Sequence, residues 1–194
     1  PDTERFYYVT DMDDSIAVLI YYNNVSKGKP SNSTAYAYDA SKENWHGPRT
    51  AIEELPSTSE WRNVSLTSSV RSIIAQDETN KTIGGTLPDN FSYAGKAARL
   101  LTIQEVRKAT GISNIPTWKT GELDNFNYLL ENTKYSNRDI GNYGYWLENP
   151  LSGYSDYAWL IYSYRRYVDS SPVLYTGSFG VRPAIEVLKS NMEY

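Results

Sequence analysis

The 194-residue chain contains no cysteine and a single histidine, His46. Without thiols there are no disulfides, no thiolate nucleophile and no cysteine-bound metal. One imidazole excludes a histidine-pair metal site and leaves any serine triad with His46 as its only base. That residue stands beside Gly47-Pro48 with no nucleophile-elbow motif near it, and reads as a loop histidine. Positive charge is scarce too: Lys and Arg number 19 against 23 Asp and Glu, for a net charge of −4 and a pI near 5.1. Nucleic-acid affinity rests on clustered cations that neutralise phosphates, so Arg165-Arg166 alone is too little, and nucleic acid is excluded as a partner.

Long apolar runs are also missing. Ile16 to Tyr22 has strand length, well short of the roughly 20 residues of a membrane-spanning helix, and direct membrane insertion is not expected. Asp11-Met12-Asp13-Asp14 lacks the glycine and closing glutamate of an EF-hand loop and reads as a solvated turn. Glu53-Glu54 reads as the acidic first turn of a helix, since adjacent helical residues point apart and make a poor glycosidase pair. No cofactor and no metal are expected.

What the chain has in quantity is tyrosine. Eight of its 18 tyrosines, Tyr143, Tyr145, Tyr154, Tyr157, Tyr162, Tyr164, Tyr167 and Tyr175, lie between residues 143 and 175, among Ser, Asp, Leu and Arg. Tyrosine offers a broad, stiff contact face with a polar tip, and Ser and Asn add adaptable hydrogen bonds. An ordinary tyrosine-rich sheet would use the same residues in half-buried strand positions. Arg165-Arg166-Tyr167 is poorly suited to a core, which favours a recognition surface.

With 40% hydrophobic residues the chain can bury one substantial core, so residues 1–194 read as one domain. Residues 1–45 form its β-rich N-terminal part, a candidate docking element, and 46–194 its core. Arg5 to Thr10 and Ile16 to Tyr22 predict a hairpin. Thr50 to Leu55 predicts a short helix limited by Pro56. The clearest helix starts at Thr102, where Thr102-Ile103-Gln104-Glu105 forms a capping box; Gly111 ends it, and Ile103, Val106 and Ala109 share its apolar face. Ile112 to Asn142 is loop-rich, holding Pro116, Gly121 and Gly141 around a short helix from Phe126 to Glu131. Tyr145-Trp146, Ala158 to Tyr164 and Val181 to Leu188 predict successive strands of one sheet.

Two sets of motifs point to a family. Lys96 to Val106, with Arg99-Leu100-Leu101-Thr102-Ile103-Gln104-Glu105 at its centre, resembles the Arg-Leu-Pro-Thr-x-x-Glu segment of formylglycine-generating-enzyme-like domains, with Leu101 in place of the usual proline. Gly144-Tyr145-Trp146, Ala158-Trp159 and Val181-Arg182-Pro183 resemble the Tyr-Trp, Ala-Trp and Val-Arg-Pro signature of bacterial surface domains in the same superfamily. Together they span about residues 95 to 188, and Gly47-Pro48-Arg49-Thr50-Ala51-Ile52 is similar to the glycine-to-helix start of those domains. The resemblance is closest to the variable proteins of diversity-generating retroelements. Such systems replace adenines, commonly in Asn codons, which reaches Tyr, Ser, Asp, Leu and Arg but never Lys, Glu, Gln, Met or Trp. Between Asn149 and Ser178 only Trp159 falls outside the reachable set, and it belongs to the recurring frame.

The resemblance implies an α+β domain of C-type-lectin-like fold, with two helices and a small mixed or antiparallel sheet. It implies a noncatalytic receptor or adhesin that binds a protein or glycan outside a bacterial cell or on a phage. The displayed positions it implies are Leu147, Asn149, Tyr154, Asp156, Tyr157, Leu160, Tyr162, Tyr164, Arg165, Tyr167, Asp169, Ser171, Leu174 and Tyr175. Strand alternation agrees, placing Trp159 and Ile161 on one face and Leu160, Tyr162 and Tyr164 on the other. Trp146 and Arg182 are assigned to scaffold. The superfamily's oxidase chemistry needs paired cysteines and does not carry over. Glu148-Asn149-Pro150 only superficially resembles the calcium-binding Glu-Pro-Asn loop of animal lectins. The competing reading is a structural domain of a surface fibre or phage tail, docked through residues 1–45.

Overall fold

Strand-favouring residues on either side of an aspartate-rich turn fold into a hairpin, β1 (Phe6–Asp11) and β2 (Ile16–Tyr21). The turn is set by Asp13, whose carboxylate accepts the Ser15 and Ile16 amides at 2.7 and 2.8 Å. The structure is a computed structural model that describes residues 5–76, 90–115, 119–131 and 143–192. Pro116 and Gly141 of the sequence reading lie outside the described residues.

Short ladders follow: β3 (Val25–Ser26) with β4 (Lys29–Pro30), and β5 (Val70–Ser72) with β6 (Asn90–Ser92). Three α-helices are present among the described residues: α1 (Arg49–Ile52), α2 (Ile103–Thr110) and α3 (Asn127–Leu130). Helix α2 begins on the expected capping box, with the Thr102 hydroxyl accepting the Glu105 amide and the Glu105 carboxylate accepting the Thr102 amide, and Gly111 ends it in a left-handed conformation. Helix α1 differs from expectation. It is a single turn ending at Ile52, so Glu53 and Glu54 follow it, and buried Glu54 accepts the Lys27 amide instead of serving the helix dipole.

The last third builds a four-stranded sheet from β7 (Gly144–Pro150), β8 (Tyr157–Tyr162), β9 (Tyr167–Pro172) and β10 (Phe179–Gly180), in the order β10-β7-β8-β9. Its pairs are antiparallel except β10 with β7. The final strand, β11 (Ala184–Leu188), departs from the sequence reading: it pairs with β2, giving a separate three-stranded sheet in the order β1-β2-β11. Strand β2 presents Ala17, Val18, Ile20 and Tyr21 to the interior, a pattern that suits a central strand with both edges paired. The N-terminal hairpin is thus part of a sheet completed by the C-terminal strand. The fold class is mixed α+β.

The central strands β7 and β8 are buried on both faces along most of their length. Tyr145, Leu147, Trp159, Ile161 and Val168 pack with Val18, Ile20, Ile103 and Val106 on one side. Trp146, Leu160, Phe179 and Val181 pack with Tyr21, Tyr38, Ile52 and Phe91 on the other. Each such side chain contributes about 2 kcal/mol when fully removed from water. The signature residues are frame: Trp146 Nε1 donates to Tyr36 O at 2.7 Å, and Trp159 Nε1 to Gln76 O at 3.0 Å. Buried Arg182 donates to the carbonyls of Tyr21, Leu129 and Tyr128 at 2.7 to 2.9 Å and lies over the Tyr145 ring, 5.2 Å from its centroid.

Candidate ligand-binding surface

The β8–β9 turn carries the centre of the expected surface. Arg166 adopts a left-handed conformation at φ 60°, and the Arg165 and Arg166 amides both return to the Tyr162 carbonyl. The turn is fastened from outside, because its Arg165 and Arg166 carbonyls accept the amides of Gly121 and Leu123 at 3.0 and 2.8 Å. Arg166 pairs with Asp124 at 2.6 Å. A turn tied at both carbonyls holds its side chains in a fixed direction, which lowers the entropy lost on binding.

Around this turn the rings form a connected patch. Tyr162 is the hub, meeting Tyr143, Tyr167 and Phe179 nearly edge to face at centroid distances of 6.0, 5.6 and 5.9 Å. Tyr164 stands 5.6 Å from Tyr143, and Tyr175 stands 5.8 Å from Phe179. Tyr164 and Tyr175 are 50% and 48% exposed, while Tyr143 and Tyr162 are half-buried. Arg165 and Leu174 are exposed within the same stretch.

Register explains what else belongs. Tyr167, Asp169 and Ser171 pair with Tyr162, Leu160 and Ala158, so the three share the Tyr162 face, as alternation requires. Asp169 and Ser171 are half-buried beside the patch. Burial pushes the Asp169 carboxyl above its ordinary value, against the opposing bond from the Ser170 amide and the Tyr167 hydroxyl. Burial, reinforced by Asp169, pushes the Tyr167 phenol up to about 12.

Four of the expected positions are not available to a ligand. Leu160 lies on the anticipated face, but Val173, Phe179 and Tyr38 cover it: the segment from 173 to 180 runs back across the sheet, held by the Tyr36 and Tyr38 amides on the Phe179 and Val173 carbonyls. Tyr167 is 8% exposed and supports Tyr162 from below. Leu147 faces the opposite cluster, among Ile103, Trp159 and Ile161. Asn149 is buried as a strut, accepting the Ile103 amide at 2.8 Å and donating to Ile74 O at 2.9 Å. The β7–β8 ladder is irregular between Trp146 and Pro150, which frees Glu148 and Asn149 from simple alternation. Both turn inward, so Glu148-Asn149-Pro150 does not present a calcium loop.

Tyr154, Asp156 and Tyr157 form a second group at the far end of β8. Tyr154 is 58% exposed and its ring lies 5.6 Å from that of Tyr157, which packs toward the Trp159 side of the sheet, away from Tyr162. Buried Asn44 holds this turn through Nδ2 bonds to the Leu151, Tyr154 and Tyr157 carbonyls, with its amide on Ser155 O at 2.7 Å. Asn44 was not singled out by the sequence. Nor was Tyr143 placed among the displayed positions, although its neighbour Gly144 is signalled by the frame. A Cβ at Gly144 would fall 1.7 Å from the Ile161 carbonyl oxygen, so that close approach of strands requires glycine.

The one histidine sits in a local cluster. His46 Nδ1 is 2.8 Å from Ser41 Oγ and 3.0 Å from Asp39 Oδ2, and Ser41 Oγ also donates to Asp39 at 2.7 Å. Ser41 and Asp39 thus share one ring nitrogen, and the Glu43 carboxylate stands 3.7 Å from the other. Among the described residues, no three His, Asp or Glu side chains gather into a metal-binding group. No helix among them is long and apolar enough to cross a membrane. No protein-family model matches the chain, and neither a curated protein nor a solved structure matches it.

Proposed function

We propose that the chain is a noncatalytic binding module of C-type-lectin-like architecture, displayed on a bacterial surface or phage particle, that holds a protein or glycan through the patch around Tyr162. The observation that carries this reading is the division of labour in the last third. The recurring Trp146, Trp159 and Arg182 are wholly buried, whereas Tyr164, Arg165, Leu174 and Tyr175 between them are exposed on a tied turn and its neighbouring strap. Exposed rings beside a guanidinium on a fixed backbone are the residue types that dominate binding hot spots. The same division suits a variable protein of a diversity-generating retroelement, in which the frame is kept while the displayed positions change.

The ligand contacts proposed are Tyr143, Tyr162, Tyr164, Arg165, Asp169, Ser171, Leu174 and Tyr175, with Tyr154 and Asp156 as a separate group. The test is to screen the protein and a Tyr164→Ala/Tyr175→Ala double variant against arrays of glycans and of bacterial surface proteins. The double variant is expected to lose at least tenfold in affinity for whatever the parent binds, while melting within a few degrees of it. Equal binding by both proteins would remove the patch from the function. Sequencing the encoding locus tests the diversification separately: a reverse transcriptase and a near-copy of codons 143 to 185 differing at adenines are expected.

A further inference from the structure

Beneath the irregular part of β7 lies a group of charges that the binding surface does not use. Arg99, 1% exposed, grips the Glu105 carboxylate with two bonds at 2.9 and 2.6 Å and the Glu186 carboxylate at 2.7 Å. Arg71 binds the same Glu186 oxygen at 2.6 Å, and the other oxygen accepts the Thr67 amide and hydroxyl. Glu148 faces these groups from β7. Among the described residues its carboxylate receives one bond, from the Tyr93 hydroxyl at 3.0 Å, and its carbonyl accepts the Tyr38 hydroxyl at 2.6 Å. Three carboxylates therefore meet two guanidiniums: Arg99 binds Glu105 and Glu186, and Arg71 binds Glu186. Among the described residues, Glu148 is the acid of the three without a directly bonded cation, and it is only 7% exposed.

We propose that Glu148 is a proton-operated latch: as the medium acidifies from alkaline to mildly acidic, the folded domain takes up a proton there and becomes more stable. The titratable and charged groups facing it are Arg99, Arg71, Glu105, Glu186, Tyr93 and Tyr38, and the imbalance among them is what a proton relieves. Burial is the largest influence on this carboxyl; it outweighs the attraction of Arg99 and Arg71 and pushes the carboxyl from its ordinary 4.5 up to about 7. A folded-state value raised in this way gives stability that is fully present below 4.5 and is lost as pH rises through about 7. Within that window each pH unit changes the folding equilibrium constant by up to about tenfold. The latch is placed where loosening would be felt, because the adjacent Asn149 joins β7 to the first turn of α2.

Two measurements test it. Carboxyl carbon shifts of the 13C-glutamate-labelled native protein are expected to include one Glu148 resonance titrating near neutral pH, assigned by its loss in Glu148→Gln. A Glu148 carboxyl titrating below pH 5 would overturn the proposal. Urea unfolding from pH 5 to 8.5 is expected to show the wild-type midpoint falling as pH rises, with the fall much reduced in Glu148→Gln. If that variant does not fold, Tyr93→Phe serves instead: by removing the Tyr93 hydroxyl that donates to the ionised carboxylate, it should move the Glu148 titration to higher pH. An unmoved titration, or an equally steep fall in Glu148→Gln, would refute the latch.

Discussion

Asn149 and Tyr164 both belong to the residue types that a displayed segment favours, and the fold puts them to opposite uses. Asn149 satisfies a backbone donor of α2 and a carbonyl of Ile74 that have no other bond of this kind described. Asn149→Ala should therefore cost about 2 kcal/mol in urea unfolding, the range for leaving buried polar groups unpaired. Tyr164→Ala, at the exposed tip of the turn, should stay within about 0.5 kcal/mol of the parent in the same measurement. Nothing local distinguishes the two in the sequence, since the partner of Asn149 lies 46 residues upstream. Gly144 was legible as part of the frame but not in its reason, which is a carbonyl oxygen of the facing strand. Gly144→Ala should abolish folding or cost more than about 3 kcal/mol by calorimetry, because two backbones would have to separate.

Among the elements, α2 was the most legible because all its signals are local: a capping box, a glycine stop and one apolar face. Thr102→Ala should cost about 1 kcal/mol by denaturant unfolding, the usual loss for an N-cap hydroxyl. Strand β8 was legible in its alternation and not in its cover. Period-two patterning tells which residues share a face, but whether water reaches that face depends on the return of residues 173 to 180, and this buried Leu160. The assignment of β11 to the wrong sheet has a similar cause. An apolar strand pattern does not name its neighbour, and β2, far earlier in the chain, needed a second partner more than the tyrosine-rich strands did. Helix α1 was read too long because Glu53-Glu54 suits a helix by composition, whereas the chain needs Glu54 to receive the Lys27 amide.

For the whole molecule, Glu148 and Glu186 set opposite limits on pH. Burial would raise Glu186, but Arg99 and the Thr67 bonds prevail and hold it down to about 2. Its folded-state value is depressed, so its contribution is present above 4.5 and is lost as pH falls toward 2. Stability should therefore pass through a maximum in mild acid, and Glu186→Gln should weaken the acid-side fall in a series of thermal melts.

The three-stranded sheet has one more consequence, a mechanical one. Both β1 and β11 run antiparallel to β2, with Phe6 beside Tyr21 and Leu188 beside Ile16. Tension between Phe6 and Leu188 would slide the outer strands lengthwise past the middle one. Ladder bonds loaded in that direction share the force and yield together, whereas bonds peeled from one end yield in turn. A module tethered through those two strands would resist pulling more strongly than its equilibrium stability alone would suggest.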